Sequence, residues 1–279
     1  MSKFLFSTIF TALVLTGCAS IPHYPIDTTH RAIGQSERIE FIILHYTAED
    51  NDGSLEVLTQ GEVSSHYLIP DGDDDKIYQL VDDNKRAWHA GRSSFRGKSA
   101  LNDTSLGIEI VSDGIKGKYS NYRPYEGFVD FQPKQIAKAA QLISMLSSKY
   151  AIDPTHILGH SDIAPNRKID PGAKFPWEYL YRTHGIGAWY DDADKAEFLT
   201  AITHSAINFN NPATITEIKA ELQRYGYTVN DTAEWDRASQ NVIYAFQLHF
   251  RPRLPTGVMD AETYAILQAL NKKYRPLKQ

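Results

Sequence analysis

The first long apolar run, Phe4 to Leu15, follows a single early charge at Lys3 and gives way to the small residues Gly17, Cys18, Ala19 and Ser20. An apolar segment this short, with those flanks, reads as a secretory signal over 1–17 rather than a bilayer-spanning helix. Residues 18–36 contain Pro22 and Pro25 and no apolar period, which predicts a tether. Order is expected from Arg38. The run from Arg38 to His45 is β-branched or aromatic at most apolar positions, as in a strand buried on both faces, and it ends on a histidine. Lys76 to Val81 is a second strand-like run. In Ser105 to Val111, alternation puts Leu106, Ile108 and Ile110 on one face and Glu109 on the other. Behind Pro133, the residues Ile136, Ala139, Ala140, Ile143 and Leu146 recur at helical spacing and predict an amphipathic helix over 133–150. His156 to His160 predicts a short strand, again ending on a histidine. Strands interspersed with a long helix imply an α/β fold over 37–190, a mixed central sheet flanked by helices. Near Asp191 the pattern dissolves, predicting a linker over 191–210 with room for a short helix. Beyond it, the stretches 214–225, 236–250 and 261–273 each carry an apolar stripe, enough for a small C-terminal three-helix domain over 211–275.

Composition narrows the function classes. With 279 residues, 42% of them hydrophobic and 23% charged, the chain can build one domain of enzyme size and a smaller one. The net charge of −5 and the lack of a long Lys/Arg run leave no electrostatic footprint for a polyphosphate, so nucleic acid is not an expected partner. Cys18 is the only cysteine, which excludes a disulfide framework and a Cys-rich zinc site. Asp71 to Asp75 lacks the glycine and terminal glutamate spacing of a calcium loop and reads as a solvated turn. Nothing in the pattern signals a large interface, so a monomer is expected.

The loop Gly159 to Gly172, GHSDIAPNRKIDPG, gathers an imidazole, an ammonium and a carboxylate. Two histidines at strand ends, His45 and His160, together with Asp170 are the parts of a catalytic zinc site, which uses three protein ligands and leaves the fourth position to water. Glu109 interrupts an otherwise apolar strand. There, desolvation would raise its pKa and make it a workable general base, unless the strand face is half-solvated and Glu109 simply points to water. Lys168 reads either as a group that meets a developing oxyanion or as an exposed loop lysine.

Several blocks then fall in order between 38 and 190: Leu44-His45-Tyr46, Ser65-His66-Tyr67, Ala87-Trp88-His89-Ala90-Gly91, Leu101 to Glu109, Gly159 to Pro165, Arg167-Lys168 and Asp170-Pro171-Gly172. The series resembles the zinc-dependent N-acetylmuramoyl-L-alanine amidases, which share a fold with phage lysozyme-type amidases and peptidoglycan recognition proteins. The resemblance implies zinc on His45, His160 and Asp170, a catalytic pair in Glu109 and Lys168, and a substrate groove along Trp88, His89 and Asn102. It also implies hydrolysis, by zinc-activated water, of the amide between N-acetylmuramic acid and L-alanine in peptidoglycan or muropeptides. His66 and Trp88 read equally well as core residues. Asp170 stands where recognition-protein relatives carry cysteine, and the amidase branch uses aspartate there. In the tail, Tyr225-Gly226-Tyr227, Ala245-Phe246-Gln247 and Gly257 to Thr263 resemble a three-helix peptidoglycan-binding domain. Leu15-Thr16-Gly17-Cys18 resembles the bacterial lipobox. That implies lipidation of Cys18 and, with no Asp after it, an anchor in the outer membrane facing the periplasm, held by several acyl chains. Two other readings remain open at this level: a non-catalytic peptidoglycan-binding receptor, and a zinc peptidase acting within the stem peptide.

Overall fold

Phe41, Ile42, Ile43 and Leu44 are fully buried, so strand β1 (Phe41–Tyr46) lies inside a sheet covered on both faces. This computed structural model describes residues 23–116, 123–124 and 126–276. The expected signal segment 1–17 and Cys18 lie outside the described residues. By their contacts, 1–36 and 37–279 are separate units.

Helix α1 (Asn51–Gln60) starts at Asp50, whose carboxylate accepts from the Gly53 N–H. Strands β2 (Tyr67–Ile69) and β3 (Tyr78–Gln79) follow, then a hairpin of β4 (Ser94–Phe95) and β5 (Lys98–Ser99), and then β6 (Ser105–Ile110). Next come α2 (Pro133–Tyr150), β7 (Ile157–Gly159), the single turn α3 (His160–Ile163) and α4 (Trp177–His184). The chain ends with α5 (Asp192–His204), α6 (Pro212–Tyr225), α7 (Arg237–Phe250) and α8 (Ala261–Tyr274). The main sheet has the order β3-β2-β6-β1-β7, parallel except for β3. It is the mixed α/β sheet the sequence implies.

Helix α2 forms where the apolar stripe predicts it. Pro133 opens it, the Gln132 N–H donates to the Gln135 side chain at 3.0 Å, and Ile136, Ala139, Ile143 and Leu146 are buried in the core. Three expectations change. The run at Lys76 to Val81 pairs only over the two residues of β3, an edge strand with one neighbour. The strand at His156 to His160 stops at Gly159, and His160 begins α3. The linker region holds a 13-residue helix, α5, packed against α8. Its apolar face is thin, with Ile202 buried and Phe198 and Leu199 partly so, and ion pairs of Lys195 with Glu262 and Lys272 with Asp194 add to the contact. The acidic turn spends its charge on α2: Asp74 meets Lys138 at 3.0 Å and Asp75 meets Lys134 at 2.9 Å.

Helices α6, α7 and α8 do not stand apart from the sheet. One apolar cluster runs from Ile42 and Ile108 to Phe246 and Leu267, and the Phe95 ring meets those of Tyr225 and Tyr227 edge-on.

Candidate active site

Strand register brings the chemistry together. His45 pairs directly with Glu109 across β1 and β6, so both side chains emerge on one face. Leu44 pairs with Gly159, which places His160, the first residue of α3, just past the end of the neighbouring strand β7. All three residues sit at the C-terminal ends of parallel strands, where open α/β sheets place their sites. The loop after α3 then returns Asp170. Its carbonyl accepts from the Ser161 N–H at 2.9 Å, and the Arg167 and Lys168 N–H groups both donate to the Ala164 carbonyl. Gly159 permits this return, since a Cβ there would lie 2.7 Å from the Pro171 ring.

The result is a triangle of ligand atoms. His45 Nδ1 lies 3.0 Å from His160 Nδ1 and 3.0 Å from Asp170 Oδ2, and His160 Nδ1 lies 3.1 Å from Asp170 Oδ2. Among the described residues this is the only group of His, Cys, Asp and Glu side chains able to hold a metal ion, and all three members are buried. Burial, followed by the neighbouring His160, pushes the His45 imidazole down to about 4, so it is neutral at pH 7. Burial also opposes charge on Asp170, but His160 and His45 outweigh it and hold that carboxyl well below the usual range. Two imidazoles and an ionised carboxylate, converging where all three residues are buried, fit a divalent cation with one position left open. The donor set suits the metal that the sequence implies.

Glu109 lines the same cavity, of about 350 Å³. Its Oε2 is buried and has no hydrogen-bond partner among the described residues. Burial first, and the Asp170 charge second, push the Glu109 carboxyl up to about 8, while Lys168 pulls the other way. Lys168 is exposed on its loop and also lines the cavity. A carboxyl poised in this way, beside a cation site and an ammonium, is equipped for proton transfer in hydrolysis.

Comparison with known proteins agrees with this geometry. The family model described as N-acetylmuramoyl-L-alanine amidase matches residues 35–173. The Escherichia coli K12 N-acetylmuramoyl-L-alanine amidase AmiD is 40% identical over 96% of this chain and 98% of its own. This chain belongs to the N-acetylmuramoyl-L-alanine amidase family. It is a hydrolase, and the bond it cuts joins N-acetylmuramic acid to L-alanine. Pseudomonas aeruginosa AmpDh3 superposes on the amidase with a TM-score of 0.81 at 37% identity, over 90% of this chain and 99% of AmpDh3. E. coli AmiD, solved with the substrate anhydro-N-acetylmuramic acid-L-Ala-D-gamma-Glu-L-Lys, superposes with a TM-score of 0.77 at 40% identity, over 90% of this chain and 95% of that one. A second model, described as "Putative peptidoglycan binding domain", matches residues 211–267.

The groove residues of the amidase separate into two kinds. Trp88 is 53% exposed on the cavity wall, with the Arg86 guanidinium 5.0 Å from its ring centre, and is therefore not a core residue. His89 also lines the cavity but is buried, with Nδ1 3.0 Å from His45 Nε2. Asn102 does not line it. Its Oδ1 accepts from the His89 and Ala90 N–H groups at 3.2 and 2.8 Å and so braces the wall from behind. His66 is fully buried, accepting from the Gly107 N–H at 3.0 Å, and belongs to the core.

Sequence reasoning missed α1, which supplies the apolar side of the cavity through Val57 and Leu58, with Val63 just after it. The one local signal was Asp50 as a helix cap. It also missed Asp162. This fully buried carboxylate accepts from the Gly159 N–H at 2.8 Å, the Tyr227 hydroxyl at 2.5 Å and His249 Nδ1 at 2.8 Å. The His249 ring stacks on Trp177, with centroids 3.9 Å apart. The C-terminal helices thus hold the turn that carries His160.

Proposed function

We propose that the amidase holds zinc on His45, His160 and Asp170 and cleaves its amide with Glu109 and Lys168 as the catalytic pair. The convergence of two imidazole nitrogens and one carboxylate oxygen within 3.1 Å, beside an unpartnered buried carboxyl, carries this reading. Zinc bound there supplies a Lewis acid that polarises the scissile carbonyl and eases deprotonation of water. Glu109 accepts the proton of the attacking water as its oxygen joins the carbonyl carbon, then returns it to the L-alanine nitrogen as the C–N bond breaks. Lys168, whose ammonium has no hydrogen-bond partner among the described residues, is free to place that charge against the oxygen that turns negative. Trp88 offers an open aromatic face for the muropeptide at the cavity mouth.

A digest of purified muropeptides tests the reading. Mass spectrometry is expected to find peptide with a free L-alanine amino terminus, lost on chelation and restored by zinc. Turnover that survives complete removal of metal would overturn the zinc assignment, and cleavage inside the stem peptide would overturn the choice of bond.

The same proposal places the enzyme as a monomer anchored to the outer membrane through lipid on Cys18, facing the periplasm. Its support is the Leu15-Thr16-Gly17-Cys18 quartet, the apolar run before it and the proline-bearing stretch after it. Cys18→Ser is expected to move the protein from the membrane fraction to the soluble one and to remove the acyl mass. A variant that stays in the membrane with unchanged mass contradicts the anchor.

A further inference from the structure

We propose that His89, backed by Ser105, is the positioning residue that turns the bare nitrogen of His45 toward the metal. The inference rests on the metal reading above and adds to it the group that sets the ligand's tautomer.

A chain of hydrogen bonds fixes every proton in turn. Ser105 Oγ lies 2.6 Å from the Leu101 carbonyl oxygen, which can only accept, so the hydroxyl hydrogen is committed there. The same Oγ lies 3.1 Å from His89 Nε2, and with its own hydrogen used, it must accept. His89 therefore carries its proton on Nε2. The ring is buried and, among the described residues, its two nitrogens meet only the Ser105 hydroxyl and His45, with no carboxylate to hold a second proton, so its Nδ1 holds a lone pair. That lone pair faces His45 Nε2 at 3.0 Å, a distance that needs one hydrogen between the two nitrogens, and only His45 can supply it. With Nε2 protonated, neutral His45 presents an unprotonated Nδ1 to Asp170 and His160. A shorter version of the device sits across the site, where His160 Nε2 faces the Ala90 carbonyl at 3.2 Å and leaves His160 Nδ1 bare.

The chain also explains a glycine in mid-strand. A Cβ on Gly107 would fall 2.5 Å from the His89 ring, so β6 gives up a side chain where the imidazole lies across it. Asn102 completes the mount by gripping the His89 and Ala90 N–H groups. His89 thus acts through His45 and need not touch substrate, although it borders the cavity.

The tests read metal affinity and tautomer, not turnover. Zinc affinity is measured by competition with a chromophoric chelator for the parent, His89→Asn, His89→Leu and Ser105→Ala. Thermal unfolding of the metal-free forms verifies that each is folded. His89→Leu, which cannot accept from His45, is expected to bind zinc about 10–100-fold more weakly, as loss of a ligand's outer hydrogen-bond partner does. His89→Asn keeps an acceptor oxygen near Nδ1 and is expected to retain most of the affinity, with Ser105→Ala between the two. If His89 only filled space, Leu would serve at least as well as Asn. Zinc bound equally by parent and His89→Leu, or lost equally in the Leu and Asn variants, overturns this inference alone; a folded parent that binds no zinc overturns the metal reading and this inference with it. Long-range ¹⁵N–¹H spectra of the metal-free parent need no variant. They are expected to find His45 and His89 protonated on Nε2, and a proton on His45 Nδ1 overturns the proposal.

Discussion

Glu109→Gln is expected to lower kcat by about 10²–10⁴-fold while zinc affinity stays close to that of the parent. The substitution keeps the shape of the side chain and removes its capacity to accept a proton. Since the carboxyl is no member of the ligand triangle, metal binding has no reason to fail with it. The same substitution is expected to stabilise the metal-free protein, and the sign follows from linkage. Burial and Asp170 raise the folded-state pKa of Glu109 from 4.5 to about 8. Below the unfolded value both states carry the proton. Between the two values the folded state keeps it and the unfolded state loses it, so stability drains away as pH rises through that window. The loss is bounded at about 5 kcal/mol, since each pH unit between the two values costs ~1.4 kcal/mol. Glutamine does not ionise. Denaturant unfolding of the metal-free forms should therefore find Glu109→Gln more stable than the parent at pH 8, with the gap closing toward pH 5. A kcat within threefold of the parent's, or a stability gap that widens on acidification, would remove Glu109 from its assigned role.

Glu109 stood out in the sequence as a charge in a strand with Leu106, Ile108 and Ile110, but alternation left open whether its own face was solvated, and only the fold places it on the cavity wall. Helix α2 was legible for a local reason: eighteen residues of one apolar stripe leave no other fold for that stretch. Helix α1 was not. Gly53 interrupts it, Val57 is exposed, and it presents little more than Leu58 to the core, so no period emerges from ten residues. The end of β7 was misjudged because the Gly159 N–H donates to the Asp162 carboxylate and caps α3, so the helix begins at the histidine. At the site, the three residues that converge as a possible metal site could be picked out by type and by the motifs around them. The groups that support them could not, because each is a meeting of distant segments. His89 reaches His45 across 44 positions, and Asp162 reaches His249 across 87. Periodicity reports which face of an element is buried and carries no information about which polar group waits on the other side. Asn102 shows that gap: nothing in its sequence neighbourhood says that its oxygen grips the His89 and Ala90 N–H groups.

Asp162→Ala is expected to cost about 3–5 kcal/mol of stability, the range for removing one partner of a buried, hydrogen-bonded charged group. Three donors lose their acceptor together: the Gly159 N–H, the Tyr227 hydroxyl and His249 Nδ1, all in places water does not reach. His249 would fare worst, since its Nε2 already has no partner among the described residues and its ring is held between Trp177 and Phe250. Tyr227→Phe is the control. It removes a single hydrogen bond and keeps the ring packing, so a loss near ~1 kcal/mol is expected. The damage from Asp162→Ala should also reach the metal, because the Asp162 carboxylate ties the four-residue turn back onto Gly159, the residue before His160. Zinc should then bind more weakly to Asp162→Ala than to Tyr227→Phe, even under conditions where both are fully folded. Denaturant unfolding and chelator competition on the two variants decide the matter: equal zinc affinities would mean that the C-terminal helices only stabilise the fold, whereas the expected difference makes them part of what keeps His160 in place.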